Sequence, residues 1–205
     1  MDGAVLGGVV LAAAAWGALF GLARTGFWWR AAAAGVAIGA YGVVAQWDEM
    51  GELLRPTMAE VAIGVAGAVV LYGVFWAGDA LLRRWVPKAA AHVDELYEVR
   101  SLSSSKRLPM PVVVPFVGVC EELFWRGFVQ ARAGLVVALA AYAAVHLWER
   151  KAVLILAAAV GGAFWGGMFA WRDSLVAPIV SHALWDLAVV VWFPFGPRTA
   201  APLNR

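Results

Sequence analysis

The sequence predicts an all-α fold, a polytopic bundle of about seven transmembrane helices. Hydrophobic residues make up 63% of the 205 residues and charged residues 15%, with a mean hydropathy of +0.76. Soluble domains contain about 45–50% apolar and about 25% charged residues. Apolar runs of roughly 17–25 residues, long enough to cross a bilayer as helices, recur along the chain. We therefore expect a single integral membrane domain over residues 1–205.

The predicted spans follow one another with short connections. The first apolar run has no basic segment before it and is as long as a spanning helix. This favours a first span over a cleaved signal peptide. Three prolines, Pro109, Pro111 and Pro115, fit the start of the fourth span, and Pro115 is a candidate kink. The seven predicted spans are residues 5–23, 27–47, 58–81, 110–130, 134–148, 152–171 and 175–195.

The longest connection is expected to contain a short amphipathic helix over residues 87–102. Pro87 is suited to the first turn of a helix. Val93, Leu96, Tyr97 and Arg100 then fall at i, i+3, i+4 and i+7, so they share one helical face. A plain solvated loop is the other interpretation of this stretch.

Basic residues are unevenly divided between the two sides that this span order defines. One side has three, Arg55, Arg132 and Arg172, and the other has twelve. Because Lys and Arg collect on the cytoplasmic side, we expect an outside N-terminus and a cytoplasmic C-terminus. The Ala- and Gly-rich, Cys-poor composition suits a bacterial inner membrane. The twelve are Arg24, Arg30, Arg83, Arg84, Lys88, Arg100, Lys106, Arg107, Arg150, Lys151, Arg198 and Arg205.

The fourth predicted span carries three ionisable residues, Glu121, Glu122 and Arg126. A charge at this depth costs about 2.5–3.5 kcal/mol on insertion scales, so such residues are rare and usually functional. Glu122 and Arg126 are four residues apart, about 40° around a helix, and are expected to pair. Glu121 points about 100° away from Glu122 and is expected to stay free for chemistry.

Further polar residues lie inside the fifth and seventh predicted spans. His146 follows Tyr142 by four residues and Asp186 follows His182 by four, so each pair shares a helical face. At 1.5 Å per residue, Glu121, His146, His182 and Asp186 lie about 12–18 Å below the outer ends of their spans. Convergence of these side chains in one cavity near mid-membrane would make an active site.

The motifs resemble those of the CAAX protease and bacteriocin-processing (CPBP, Abi) family of intramembrane proteases, which includes the type II CAAX prenyl endopeptidases. The resemblance covers residues 109–191. Two positions depart from the family pattern, since Tyr142 stands where Phe is usual and Asp186 where the eukaryotic prenyl proteases have Asn. The motifs, in order, are Glu121-Glu122-x-x-x-Arg126, Tyr142-x-x-x-His146 and His182-x-x-x-Asp186.

The resemblance implies hydrolysis of a peptide bond within or near the bilayer, without a cofactor. It makes Glu121 and His146 the pair that activates water. His182 then supports the oxyanion, with Asp186 orienting it. Glu122 and Arg126 are left with a structural and electrostatic role. The implied partners are a membrane-associated or C-terminal peptide substrate and the lipid bilayer, and no nucleic acid.

Three other interpretations remain open. Glu, His and Asp side chains are also ligands for zinc or another divalent metal, although the usual His-Glu-x-x-His spacing is absent. A non-catalytic membrane scaffold or bacteriocin-immunity-type protein would keep the same polar core. Intramembrane carboxylates and histidines also relay protons in transporters, but no inverted repeat of hydropathy is visible.

Overall fold

In the computed structural model the protein is described over residues 2–21, 26–97 and 109–195, with Leu96 and Tyr97 described by backbone alone. Throughout these ranges the regular structure is helical, which confirms the predicted all-α class. The helices are α1 (Gly3–Gly21), α2 (Phe27–Ala45), α3 (Trp47–Leu53), α4 (Met58–Trp85), α5 (Pro87–Tyr97), α6 (Met110–Phe124), α7 (Leu135–Val145), α8 (Ala152–Arg172) and α9 (Val176–Leu187).

Three helices continue in a different helical geometry. After α6 come a π-helical segment, Trp125–Gln130, and one last turn, Ala131–Ala133. After α7 comes a 3₁₀ turn, His146–Glu149, and after α9 a π-helical segment, Ala188–Trp192. Arg126 lies within the first π-helical segment, His146 is the first residue of the 3₁₀ turn, and the second π-helical segment starts two residues after Asp186.

The helix lengths suit an integral membrane protein. Among the described residues, α1, α2, α4 and α8 are the four helices long and apolar enough to cross a bilayer. Two shorter apolar helices are Leu135–Glu149 and Val176–Trp192. The continuous helical stretch that starts with α6 contains Glu121, Glu122 and Arg126 in its middle. The predicted count of about seven spans stays a prediction.

One connection contains a helix that was not predicted, and another agrees with its prediction as far as it is described. Part of the polar stretch after the second span forms α3, whose first turn contains Asp48 and Glu49, where negative charge favours a helix N-terminus. Met50 of α3 is buried against Phe169 and Leu175. The amphipathic helix predicted over residues 87–102 begins as expected in α5 and is described to residue 97, and residues 98–102 lie outside the described ranges.

The centre of the bundle is α6, because small residues let other helices approach it closely. A Cβ at Gly42 of α2 would lie 2.9 Å from the Leu123 carbonyl oxygen. A Cβ at Gly118 of α6 would lie 2.7 Å from Asp186 Oδ2 of α9. Only glycine permits these approaches without a shift of the neighbours. Residues on different faces of α6 therefore contact different helices at the same depth.

Candidate active site

Glu122 is the centre of a buried charged cluster on α6. Its side chain is fully buried, and its Oε1 lies 3.1 Å from Arg126 Nη1 and 2.7 Å from His182 Nδ1. The first contact is the predicted ion pair, and it is a close charge contact rather than an aligned hydrogen bond. An ionised carboxylate only accepts, so Nδ1 of His182 carries a hydrogen. Glu122 thereby links α6 to α9.

Arg126 has neutral partners in addition to Glu122. Its Nη2 donates to the Gly162 carbonyl oxygen of α8 at 3.2 Å. The guanidinium carbon lies 4.9 Å from the centre of the Tyr142 ring and 5.7 Å from the Trp165 ring. A planar cation favours such contacts with aromatic faces. Arg126 therefore ties α6 to both α7 and α8.

Glu121, predicted to stay free of Arg126, faces α7. Tyr142 Oη donates to Glu121 Oε2 at 2.8 Å. The Tyr142 ring lies edge-on to the His146 ring, with 4.5 Å between their centres. His146 Nδ1 lies 2.7 Å from the Tyr142 carbonyl oxygen. Because a carbonyl only accepts, Nδ1 is the donor, and in a neutral imidazole with this tautomer the lone pair lies on Nε2.

His182 is held on several sides. It stacks on Trp165, with ring centres 3.6 Å apart and planes 17° apart. Trp165 Nε1 in turn donates to Ser181 Oγ at 3.2 Å, which fixes the indole. His182 Nε2 lies 3.9 Å from Asp186 Oδ1, and Gly118 leaves the space for both side chains. The imidazole is thus fixed in its plane, with Nε2 on the side of Asp186.

The helix that begins with α6 changes from α-helical to π-helical geometry at Trp125, three residues after Glu122. The Trp125 N–H contacts the carbonyl oxygens of both Glu121 and Glu122, and the π-helical segment starts there. Every residue of this segment is buried. π-Helical turns occur often at functional sites. Gln130, the last residue of the segment, donates to the Gly166 carbonyl oxygen of α8 at 2.8 Å and anchors its far end.

The predicted site residues all meet around α6. Glu121 contacts the α7 motif, and Glu122 contacts the α9 motif. Glu121 also lies within electrostatic range of His182 and Asp186. The residues around Glu121 and those around Glu122 therefore interact electrostatically, because these two glutamates are adjacent on α6. The catalytic role of each residue remains a prediction.

An apolar cavity of about 430 Å³ reaches Asp186 from one end of the bundle. Its walls come from the second half of α4 and the first half of α8, with Val93 of α5 and Met110 of α6 also lining it. Of the four predicted catalytic residues, Asp186 lines the cavity, whereas Glu121, His146 and His182 do not. The cavity therefore reaches the cluster at Asp186, and Glu121 and His146 are buried away from its lining.

The arrangement of the side chains bears on whether the site could bind a metal ion. Within residues 2–21, 26–97 and 109–195, no three His, Cys, Asp or Glu side chains are arranged so that they could hold a metal ion. The carboxylates have protein partners instead: Tyr142 for Glu121, and Arg126 and His182 for Glu122.

Two residues of the site were not predicted from the sequence. Trp165 supports His182, but a tryptophan in a Gly-rich stretch of a span gives no signal for that role. Glu149 has a side chain 9% exposed, and its Oε1 lies 3.8 Å from His146 Nε2. The predicted fifth span ends at residue 148, which left Glu149 in the following connection. A carboxylate three residues after a motif histidine was the available signal.

A comparison with protein families agrees with the motifs. The model of a family described as type II CAAX prenyl endopeptidase Rce1-like matches residues 103–188. That segment contains all three motifs, so the resemblance to the CAAX protease family is confirmed over it. No curated protein and no solved structure matches the chain.

Proposed function

We propose, starting from the match of residues 103–188 to the type II CAAX prenyl endopeptidase family, that this integral membrane protein is an intramembrane endopeptidase. It would hydrolyse a peptide bond of a membrane-associated or C-terminal peptide. One observation carries the proposal: Glu121, His146, His182 and Asp186 are all buried around one helix of an apolar bundle. Ionisable groups at such positions are rare unless they have a function.

Glu121 and His146 would activate the attacking water. Glu121 takes a proton from the water, and the lone pair on His146 Nε2 accepts the second hydrogen and orients it. The water oxygen then bonds to the substrate carbonyl carbon. The proton passes to the amine nitrogen as the carbon–nitrogen bond breaks. Tyr142 supports this step because its hydroxyl fixes the Glu121 side chain, and its carbonyl oxygen fixes the His146 ring.

His182 and Asp186 would act on the oxyanion that this attack creates. Because Glu122 occupies Nδ1 of His182, Nε2 is the nitrogen left to donate to the oxyanion. Donation from both nitrogens requires a protonated imidazole, a form that the carboxylates of Glu122 and Asp186 on either side can balance. A donor that is fixed in place and shielded from water stabilises an oxyanion strongly.

The apolar cavity suits the membrane-embedded part of a substrate. Its lining residues are almost all aliphatic or aromatic, and the exception nearest the site is Asp186. A peptide bound there would have its apolar part between α4 and α8 and its scissile bond near α9. Lining residues from the two walls include Val74, Phe75, Leu82, Val153, Leu156 and Val160.

The function is tested by comparing the peptides of membranes that contain wild-type protein with those that contain Glu121→Gln protein. We expect peptides with a common cleavage site that appear only with the wild type. The same preparation, treated with a chelator and analysed for metal content, tests the metal interpretation. Retained cleavage without stoichiometric zinc or iron supports metal-free hydrolysis. Identical peptide sets from both proteins would contradict the protease.

The cavity is expected to open to the cytoplasm. Under the predicted topology, the end of α4, the starts of α6 and α8 and the end of α9 face that side. Across this end lies α5, joined to α4 by Arg83 and Asp94 at 2.8 Å and to the start of α8 by Lys151 and Glu95 at 2.7 Å. The Lys151 hydrogen bond holds the pKa of Glu95 below its ordinary value, so Glu95 keeps its charge, and this link, to lower pH.

Labelling of single cysteines in a Cys120→Ala background tests whether the cavity opens to the cytoplasm. Val93→Cys, at the cavity, should react with a membrane-impermeant thiol reagent in inverted vesicles and not in right-side-out vesicles. Leu54→Cys is the matched reference, because this exposed residue lies in the connection predicted to be outside and should show the reverse pattern. Labelling of Val93→Cys from the same side as Leu54→Cys would overturn the cytoplasmic opening.

A further inference from the structure

Glu149 carries a carboxylate that is largely shielded from water and has no role in the proposed mechanism. It lies at the end of the apolar helical segment Leu135–Glu149, with a side chain only 9% exposed. In the described part of the chain, its one ion-pair contact is with His146 Nε2 at 3.8 Å. A carboxylate removed from water costs free energy unless a partner compensates for it, so this position calls for an explanation.

The contact involves the reactive nitrogen of His146. The other nitrogen, Nδ1, donates to the Tyr142 carbonyl oxygen at 2.7 Å. Nε2 is thus the atom that can take up a proton, and it is the atom that faces Glu149. The ring is also packed edge-on against Tyr142, and its centre lies 6.0 Å from that of the Trp16 ring. These contacts limit rotation of the ring and keep Nε2 on the side of the carboxylate.

A change in helix type creates this contact. The chain leaves α-helical geometry at His146 and forms a 3₁₀ turn through Glu149. In a 3₁₀ helix, side chains three residues apart are eclipsed, whereas in an α-helix they are about 60° apart. Arg150, the next residue, is in the left-handed region at φ 57°, a conformation that is uncommon for residues other than glycine. The local backbone thus directs Glu149 towards His146.

Glu121 belongs to the same group of charges. It lies within electrostatic range of Glu149 and is connected through Tyr142 to His146. The imidazole therefore stands among two carboxylates and a backbone carbonyl. The partial positive charge that the ring gains when Nε2 accepts the hydrogen bond from the water would be stabilised by these carboxylates. A similar arrangement of carboxylate and histidine supports general-base catalysis in serine hydrolases, although there the carboxylate contacts the other nitrogen.

We propose that Glu149 is a positioning residue for His146. It holds the imidazole so that Nε2 keeps the second hydrogen of the attacking water in place while Glu121 carries the first proton to the leaving amine. This role rests on the proposed peptidase function. Glu149 makes no bond to the substrate, and the bonds formed and broken are those of the hydrolysis itself.

The test compares Glu149→Gln and Glu149→Asp with wild type in liposomes. The substrate is a fluorogenic farnesylated CAAX peptide or, if wild type does not cleave it, a synthetic peptide spanning a cleavage site found in the membrane comparison. By analogy with carboxylate partners of histidine ligands at metal sites, Glu149→Gln should lower kcat about 10–100-fold. In Glu149→Gln, KM and the midpoint of thermal unfolding should be unchanged. Glu149→Asp should retain part of the kcat that Glu149→Gln loses. Glu52→Gln, at a carboxylate on α3 whose side chain is 65% exposed, is the matched control and should leave kcat unchanged.

A second measurement does not depend on activity. The chain has 3 histidines, so ¹⁵N labelling of histidine gives a simple spectrum in which the His146 ring is assigned by its loss in His146→Gln. Glu149→Gln should shift the His146 Nε2 resonance, and Glu52→Gln should not. Near-wild-type kcat, an unshifted resonance, or a kcat loss matched by a fall in thermal midpoint would overturn the proposal. A wild type that cleaves no peptide overturns the peptidase and this role together, while the resonance shift still decides whether the contact exists.

Discussion

Replacement of Glu121 by Gln is expected to lower peptide hydrolysis by at least about 10²–10⁴-fold, the contribution typical of a general base. Gln has the same shape as Glu and keeps an oxygen that accepts the hydrogen bond from Tyr142 Oη, which is 2.8 Å long in the wild type. The variant should therefore insert and fold. Turnover of the cleaved peptide is measured in liposomes, and thermal unfolding in detergent reports on the fold.

Tyr142→Phe is the matched control for Glu121→Gln. It removes the same hydrogen bond from the other side and leaves the carboxylate in place. Because Phe is the usual residue of the resembled family at this position, we expect activity within about tenfold of wild type. If Glu121→Gln retains activity within tenfold of wild type, Glu121 is not the base. If Tyr142→Phe alone is inactive, the hydroxyl takes part in the chemistry.

The sequence predicted the site better than it predicted the backbone that presents it. The ion pair of Glu122 with Arg126 and the separate direction of Glu121 follow from helical periodicity, and both are present in the structure. The meeting of three separate helices does not follow from periodicity. It depends on close approaches at positions such as Gly118 and Gly42, which a hydropathy pattern does not specify.

The hydropathy pattern could not predict the local helix type. An apolar run fits α, π and 3₁₀ geometry almost equally, since each places the same residues in the bilayer. The π-helical segment after Phe124 and the 3₁₀ turn at His146 therefore had no sequence signal. The Glu122–His182 hydrogen bond was missed for a related reason: Glu122 had been paired with Arg126, and one carboxylate oxygen serves both partners.

Arg126→Ala is expected to destabilise the protein by about 3–5 kcal/mol, because it removes the arginine cation from the buried Glu122 carboxylate and leaves His182 as the remaining partner of that carboxylate. The two side chains are 2% and 0% exposed, so water cannot replace the missing partner. The variant also loses the hydrogen bond to the Gly162 carbonyl oxygen. Thermal unfolding in detergent, followed through the fluorescence of the 12 tryptophans, should show a clear fall in Tm.

Two further variants separate the buried charge from the loss of an arginine. Arg55→Ala breaks an ion pair with Glu52 whose side chains are 71% and 65% exposed, and it should cost no more than about 1 kcal/mol. Glu122→Gln combined with Arg126→Met removes both buried charges and keeps an acceptor for His182, so it should recover part of the lost Tm. An Arg126→Ala protein with wild-type Tm and no peptidase activity would instead place Arg126 in the chemistry, because the loss of activity could then not be explained by loss of the fold.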